Sequence, residues 1–207
     1  MKVLIALLRL AAVAATVVAI IGQFAFTAAR TEINFFNFFG YFTIQSNILA
    51  ALVLFVSALF LLSRRRQPGW LVWSRGAVTA YMVTVGVVYN TLLTGANLEN
   101  AFNLQWSNDI LHIWIPIYIA ADWLIFGDRR PIPWNRFWPI LIYPIVWAVV
   151  VLLRGSLIDG WFAYPFLDPA KAGGVGAVIV YIIAIGGFVG LIAAVVVWLS
   201  RLRLIKT

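Results

Sequence analysis

Thr43, Ser46, Asn47 and His112 are the residues whose types and spacing could support covalent chemistry in this chain. A threonine hydroxyl is a weak nucleophile until a neighbouring imidazole accepts its proton, and the pair then suits acyl transfer. Thr43, Ser46 and Asn47 fall on one face of a helix at i, i+3 and i+4, while Gln45 points elsewhere. His112 is the only histidine. Asn108 and Asp109 precede it by four and three residues, so either can share its face and orient a ring nitrogen. Pro116 lacks a backbone donor and lets the helix bend beside the histidine. Plainer readings stand next to this one: hydroxyls and amides also join helices in membrane bundles, and a lone histidine is often a satisfied core group. Asp122 lies about 15 Å further along the helix, too far to serve His112, and pairs more simply with an arginine. With no cysteine, thiolate nucleophiles, disulfides and iron–sulfur sites are excluded, and one histidine excludes multi-histidine metal or haem sites. No cofactor and no metal are expected.

The elements that must position these residues are transmembrane helices. Hydrophobic residues make up 64% of the 207 and charged residues only 11%, against about 45–50% and about 25% in soluble domains. A chain of this size cannot bury so much apolar surface within itself, so lipid must be the solvent for much of it. Six apolar runs approach the roughly 20 residues needed to cross a bilayer: 3–28, 38–62, 77–94, 107–126, 137–153 and 175–199. The expected fold is an all-α integral membrane protein, one bundle of six transmembrane helices filling residues 1–207. The first run is too long for a signal-peptide core of about 7–15 residues and is expected to be retained. Lys and Arg divide unevenly between the ends of the runs. Twelve (Lys2, Arg9, Arg64, Arg65, Arg66, Arg75, Arg129, Arg130, Arg136, Arg201, Arg203, Lys206) fall on one side and three (Arg30, Arg154, Lys171) on the other. Cytoplasmic ends carry the excess, which predicts both termini in the cytoplasm. Glu32, Glu99, Asp109, Asp159 and Asp168 then lie near the outer face. The net charge of +8 is mainly a topology signal with some attraction to anionic lipid, and scattered basic residues argue against nucleic acid.

Depth brings the chemistry together. Thr43 and His112 each lie about 7–8 Å below the outer end of their runs, and Tyr89, Asn90 and Thr94 occupy a similar layer. A pocket open to the outer leaflet is the simplest use for these groups, and polar residues are few below them.

Three segments carry a resemblance. GYFTIQSN at 40–47, LHIWIP at 111–116 and WFAYPFLD at 161–168 resemble the androgen-induced and androgen-dependent six-span proteins of animals and their bacterial six-span relatives. The animal members are threonine hydrolases that cleave fatty-acid esters of hydroxy fatty acids with one intramembrane threonine and one histidine. The resemblance implies Thr43 as nucleophile and His112 as general base. The QSN after Thr43 and the Asp-Trp at Asp122 and Trp123 look more like the bacterial branch, which implies a multi-pass protein of the bacterial plasma membrane.

The expected activity is hydrolysis of a lipid or fatty-acyl ester, with membrane lipids as the other partners. Asn47 and Asn90 are candidate oxyanion donors by depth, with Ser46 and Asp109 supporting. Arg30 or Arg154 could hold a substrate carboxylate, anchoring in the interface being the plainer role. The segment with Tyr164, Pro165, Phe166 and Asp168 is either a lid over the pocket or an interfacial aromatic belt. Pro139 and Pro144 should bend the fifth run. Gly186 and Gly190 permit close helix approach, leaving open whether that face packs in the bundle or forms a homo-oligomer. The rival readings are a small-molecule or lipid transporter or channel, which needs a polar path to both faces, and a non-catalytic lipid-binding protein.

Overall fold

In hydrocarbon every backbone N–H and C=O must find its partner within the segment, so the apolar runs become helices. The computed structural model describes residues 1–94 and 103–202, and every regular element in them is helical. Glu99, Arg203 and Lys206, used in the charge reading above, lie outside the described residues. In chain order the α-helices are α1 (Lys2–Ala28), α2 (Phe35–Phe38), α3 (Phe42–Leu62), α4 (Gly69–Val88), α5 (Gln105–Asp109), α6 (Ile115–Ile125), α7 (Trp138–Leu157), α8 (Pro169–Ala172) and α9 (Val175–Leu199). Among the described residues five helical segments are long and apolar enough to cross a membrane: Lys2–Ala28, Phe42–Leu62, Gly69–Leu93, Trp134–Leu157 and Val175–Leu199. The architecture is that of a membrane-embedded helical bundle. α7 and α9 leave Ile142, Ile145, Val149, Val180, Ile183 and Leu191 exposed, as helices facing lipid would.

Several boundaries differ from the apolar runs, for identifiable reasons. The run expected at 77–94 begins at Gly69, because Arg75 is not a loop charge: it is 2% exposed inside α4. Phe38 belongs to the separate short helix α2, whose Asn34 side chain accepts a hydrogen bond from the Asn37 N–H as an N-cap. α7 continues to Leu157, past the expected 153. The sixth run matches α9 at both ends.

Two π-helical turns shape the region around His112. One, Tyr89–Leu93, ends α4, and the other, Ile110–Trp114, joins α5 to α6 without leaving helical backbone angles. Pro116 has no N–H to give the His112 carbonyl four residues back, and a π turn absorbs such a gap. A Cβ on Gly86 would meet Pro116 at 3.0 Å, so this glycine lets α4 and α6 cross closely just below Tyr89 and His112. Gly186 and Gly190 behave otherwise, since a Cβ added at either meets nothing within 4 Å.

α3, α4 and α6 repeat one pattern along their lengths. In α3, Asn47 is followed by Ala50 and Leu54 and then Ser57. Along α4, Arg75 precedes Val78, Met82 and Val85 and then Tyr89. In the α5–α6 segment, His112 is followed by Ile115 and Ile119 and then Asp122. The apolar members all lie in one buried core cluster. Buried apolar residues thereby lie between two polar layers, with the Thr79 and Thr84 hydroxyls among them bonded back to the Arg75 and Ala80 carbonyls of their own helix. Thr43 and Ser57, fourteen residues apart, stand about 21 Å apart along α3.

Candidate functional site

Thr43 sits in the first turn of α3, where backbone N–H groups have no partner within the helix. Tyr164 supplies one. Its phenol oxygen accepts the Thr43 N–H at 3.2 Å and also lies 3.2 Å from the Thr43 hydroxyl. Burial pushes the Tyr164 phenol up to about 12, partly offset by its bonds to Thr43, so it keeps its proton at neutral pH. The segment around it folds inward and is no interfacial belt: Tyr164, Phe166 and Leu167 are buried. Trp147 fixes the chain entering α3 by donating its indole N–H to the Gly40 carbonyl at 2.9 Å.

His112 is held on both faces of the problem, tautomer and ring plane. Its Nδ1 lies 3.0 Å from the Asn108 carbonyl. A carbonyl only accepts, so Nδ1 carries the proton and Nε2 keeps its lone pair. No hydrogen bond to Nε2 occurs among the described residues. The ring stacks on Tyr89 with centroids 4.0 Å apart, and the Asn108 side-chain amide in turn donates to the Tyr89 hydroxyl. Asp109 does not orient the ring; its carboxylate accepts from Gln105 Nε2 at 2.7 Å.

Two cavities meet at Thr43. One, of about 550 Å³, is lined by Thr43, His112, Asn108 and Tyr89 together with Gln23 and Glu32. The other, of about 330 Å³, is almost wholly apolar and runs from Thr43 between α4, α7 and α9 past Leu141, Pro144, Gly186 and Val189. Thr43, Tyr89, Leu93 and Tyr164 belong to both walls. The Thr43 hydroxyl is bonded to Tyr164 and not to His112, so the two share a cavity wall without touching through a hydrogen bond.

The remaining candidates take other places. Asn47 is fully buried and its amide nitrogen donates to the Thr43 carbonyl at 2.9 Å and the Leu111 carbonyl at 3.2 Å. It therefore ties α3 to the residue before His112, with its donors already used. Ser46 is buried and lies in neither cavity wall. Asn90 is exposed and donates to the Gly86 carbonyl at 2.7 Å. Asp168 caps α8 through the Ala170 N–H at 3.0 Å. Arg154 binds the carboxylate of Asp159 and the side-chain oxygen of Asn37, and lies over the Trp161 ring at 4.5 Å. Arg30 lies over the Phe26 ring and donates to the Phe26 carbonyl at 2.9 Å. Sequence reasoning underrated Tyr89 and Trp147, whose roles come from contacts across helices with no local signal.

The second polar layer corrects the expectation that polar residues thin out beyond the first. Arg9 is 0% exposed, and its guanidinium donates to Asp122 at 2.8 and 3.0 Å, to Asp128 at 2.6 and 3.1 Å and to Ser57 at 2.7 Å. Arg75 donates to Asp122 at 2.9 Å, and to Asp128 at 3.0 Å and Gln67 at 3.1 Å. Asp122 thus pairs with two arginines, one that the charge reading places at the N-terminal end and one that it places in a connection. Burial alone would push the Asp128 carboxyl up, but Arg75 and Arg9 hold it well below the usual carboxylate range. Among the described residues no group of three or more His, Asp or Glu is placed to hold a metal ion.

No family model, curated protein or solved structure matches the chain.

Proposed function

We propose that the chain is a six-span membrane hydrolase of lipid esters, with both termini cytoplasmic, Thr43 as nucleophile and His112 as general base. The helical segment 105–125 is the sixth crossing, about 30 Å long at 1.5 Å per residue. The observation that carries the reading is the shared cavity wall. Thr43 and His112, whose Nδ1 is held by the Asn108 carbonyl, line one cavity, and Thr43 also lines an apolar one beside it.

The apolar cavity takes the acyl chain and the mixed one takes the other half of the ester, which sets the carbonyl beside Thr43. Tyr164 donates its proton toward the Thr43 oxygen, freeing the threonine proton to leave. Thr43 Oγ1 attacks the carbonyl carbon as Nε2 of His112 takes that proton. The tetrahedral oxyanion collapses, the C–O bond to the alcohol breaks, and the imidazolium returns the proton to the departing oxygen. Water, deprotonated by His112, then attacks the acyl carbon, the C–Oγ1 bond breaks to release the carboxylic acid, and His112 returns the proton to Thr43 Oγ1. As the new C–O bond forms, the single Tyr164 O–H turns from Thr43 Oγ1 to the oxyanion, in place of Asn47 or Asn90.

Between the two polar layers the Thr16, Thr79 and Thr84 hydroxyls bond back to carbonyls of their own helices, which supports a one-sided pocket over a transport path. Purified protein assayed on medium-chain p-nitrophenyl esters tests the reading: Thr43→Ala and His112→Ala should each lower turnover by at least about 10²-fold. Turnover equal to that of the unaltered protein in both variants would overturn it.

A further inference from the structure

At the end of the bundle opposite Thr43, chain segments distant in sequence close round a cavity of about 400 Å³. Lys2, Arg65, Arg66, Arg129 and Arg130 line it, with Gln67 and Asp128 at the edge of the buried network. Asp128 is the sole acid among the lining residues, and it is already committed to Arg9, Arg75 and Gln67 at 2.6, 3.0 and 2.7 Å. Two arginines balance two aspartates inside that network, so it offers no charge to the cations at the mouth. Among the described residues Lys2, Arg65, Arg66 and Arg130 make no ion pair. Scattered basic residues at loop ends suffice to set topology. Here the fold does more, gathering cations from the N-terminus, the α3–α4 connection and the α6–α7 connection into one concavity.

The level of the cavity identifies its ligand. Trp70, Trp134 and Trp138, which are 59%, 52% and 69% exposed, ring the same end of the bundle, as aromatic side chains do at the headgroup level. Arg130 and Val72 also line an adjoining groove of about 380 Å³ with Trp70, Trp73, Ile132 and Pro133. A basic cavity that opens into an aromatic and apolar groove matches a phosphodiester carried on a glycerolipid. We propose that this cavity binds the phosphate of an anionic phospholipid, with the glycerol and acyl part lying along the Trp70 groove. This rests on membrane embedding and is independent of the chemistry at Thr43.

The test uses the whole chain purified in detergent, exchanged into a mixture of phosphatidylglycerol and phosphatidylcholine, and weighed with retained lipid by native mass spectrometry. The unaltered protein should retain phosphatidylglycerol over phosphatidylcholine by about tenfold or more, since each cation near lipid charge contributes. Arg66→Gln/Arg130→Gln should bring the ratio near unity. Arg66→Lys/Arg130→Lys and the equal charge loss Arg30→Gln/Lys171→Gln should leave a clear preference. No preference in the unaltered protein, or the same loss in the Arg30/Lys171 control, would overturn the site. Equal protection against thermal unfolding by millimolar inorganic phosphate, lost in Arg66→Gln/Arg130→Gln, would overturn the lipid as its source.

Discussion

Arg9 and His112 are both polar groups inside apolar helices, and they are used in opposite ways. Each guanidinium nitrogen of Arg9 donates to a fixed partner on α3, on α6 or just beyond α6. His112 lines a cavity and commits one ring nitrogen to the Asn108 carbonyl, while the other has no hydrogen bond among the described residues. A buried charge pair surrounded by donors and acceptors locks helices together, because removing one partner strands the other. An imidazole with one free lone pair costs the fold something and is of use only to a ligand. The difference separates a layer that ties helices together from the layer to which the proposed chemistry is assigned. Burial and polarity alone do not separate Arg9 from His112; their hydrogen-bond partners do.

That contrast can be broken at either layer. The largest expected effect is on folding: Arg9→Ala should lower stability by about 3–5 kcal/mol, since it leaves Asp122 and Asp128 with one arginine between them. Thr43→Ala should change the melting temperature in detergent little beside it. A lower melting temperature for Thr43→Ala than for Arg9→Ala would reverse the assignment of layers. Next, Tyr164→Phe should cut ester turnover by about 10²-fold through loss of one donor, with little change in the melting temperature. Unchanged turnover would remove Tyr164 from the site and leave it as a packing residue.

The smallest effect concerns pH. Asp128 has its carboxyl held below the ordinary value of about 3.9, so its contribution to stability is present above that value and is lost as pH falls through the depressed one. Thermal unfolding should therefore show an acid-side decline, beginning below about pH 4, that is reduced in Asp128→Asn. An equal decline in both proteins would show that the network does not carry it.

Much of the helical frame is legible from apolar runs, because hydrocarbon forces each long run into one helix; α9 is the plainest case. α4 is the instructive failure. Arg75 reads locally as a loop charge, and only its partners on other segments, Asp122 and Asp128, make it a core residue. The π turn at Ile110–Trp114 is similarly hidden, since Pro116 announces a disturbed helix and not its form. At the site, the depth argument brings Thr43 and His112 into one layer, and the resemblance supplies only the roles proposed for them. Neither indicates that Asn47 would spend its donors on backbone carbonyls, or that Asp168 would cap a short helix. Side chains at the right depth are candidates, and hydrogen-bond partners across helices decide among them.

The central claim is that Thr43 is the group that attacks. Labelling the purified protein with a fluorophosphonate ester probe and locating the adduct by peptide mass spectrometry tests it most directly. The adduct should fall on Thr43, be absent in Thr43→Ala and form far more slowly in His112→Ala, whose nucleophile lacks its base. An adduct on another hydroxyl, or labelling that persists unchanged in both variants, would contradict the account.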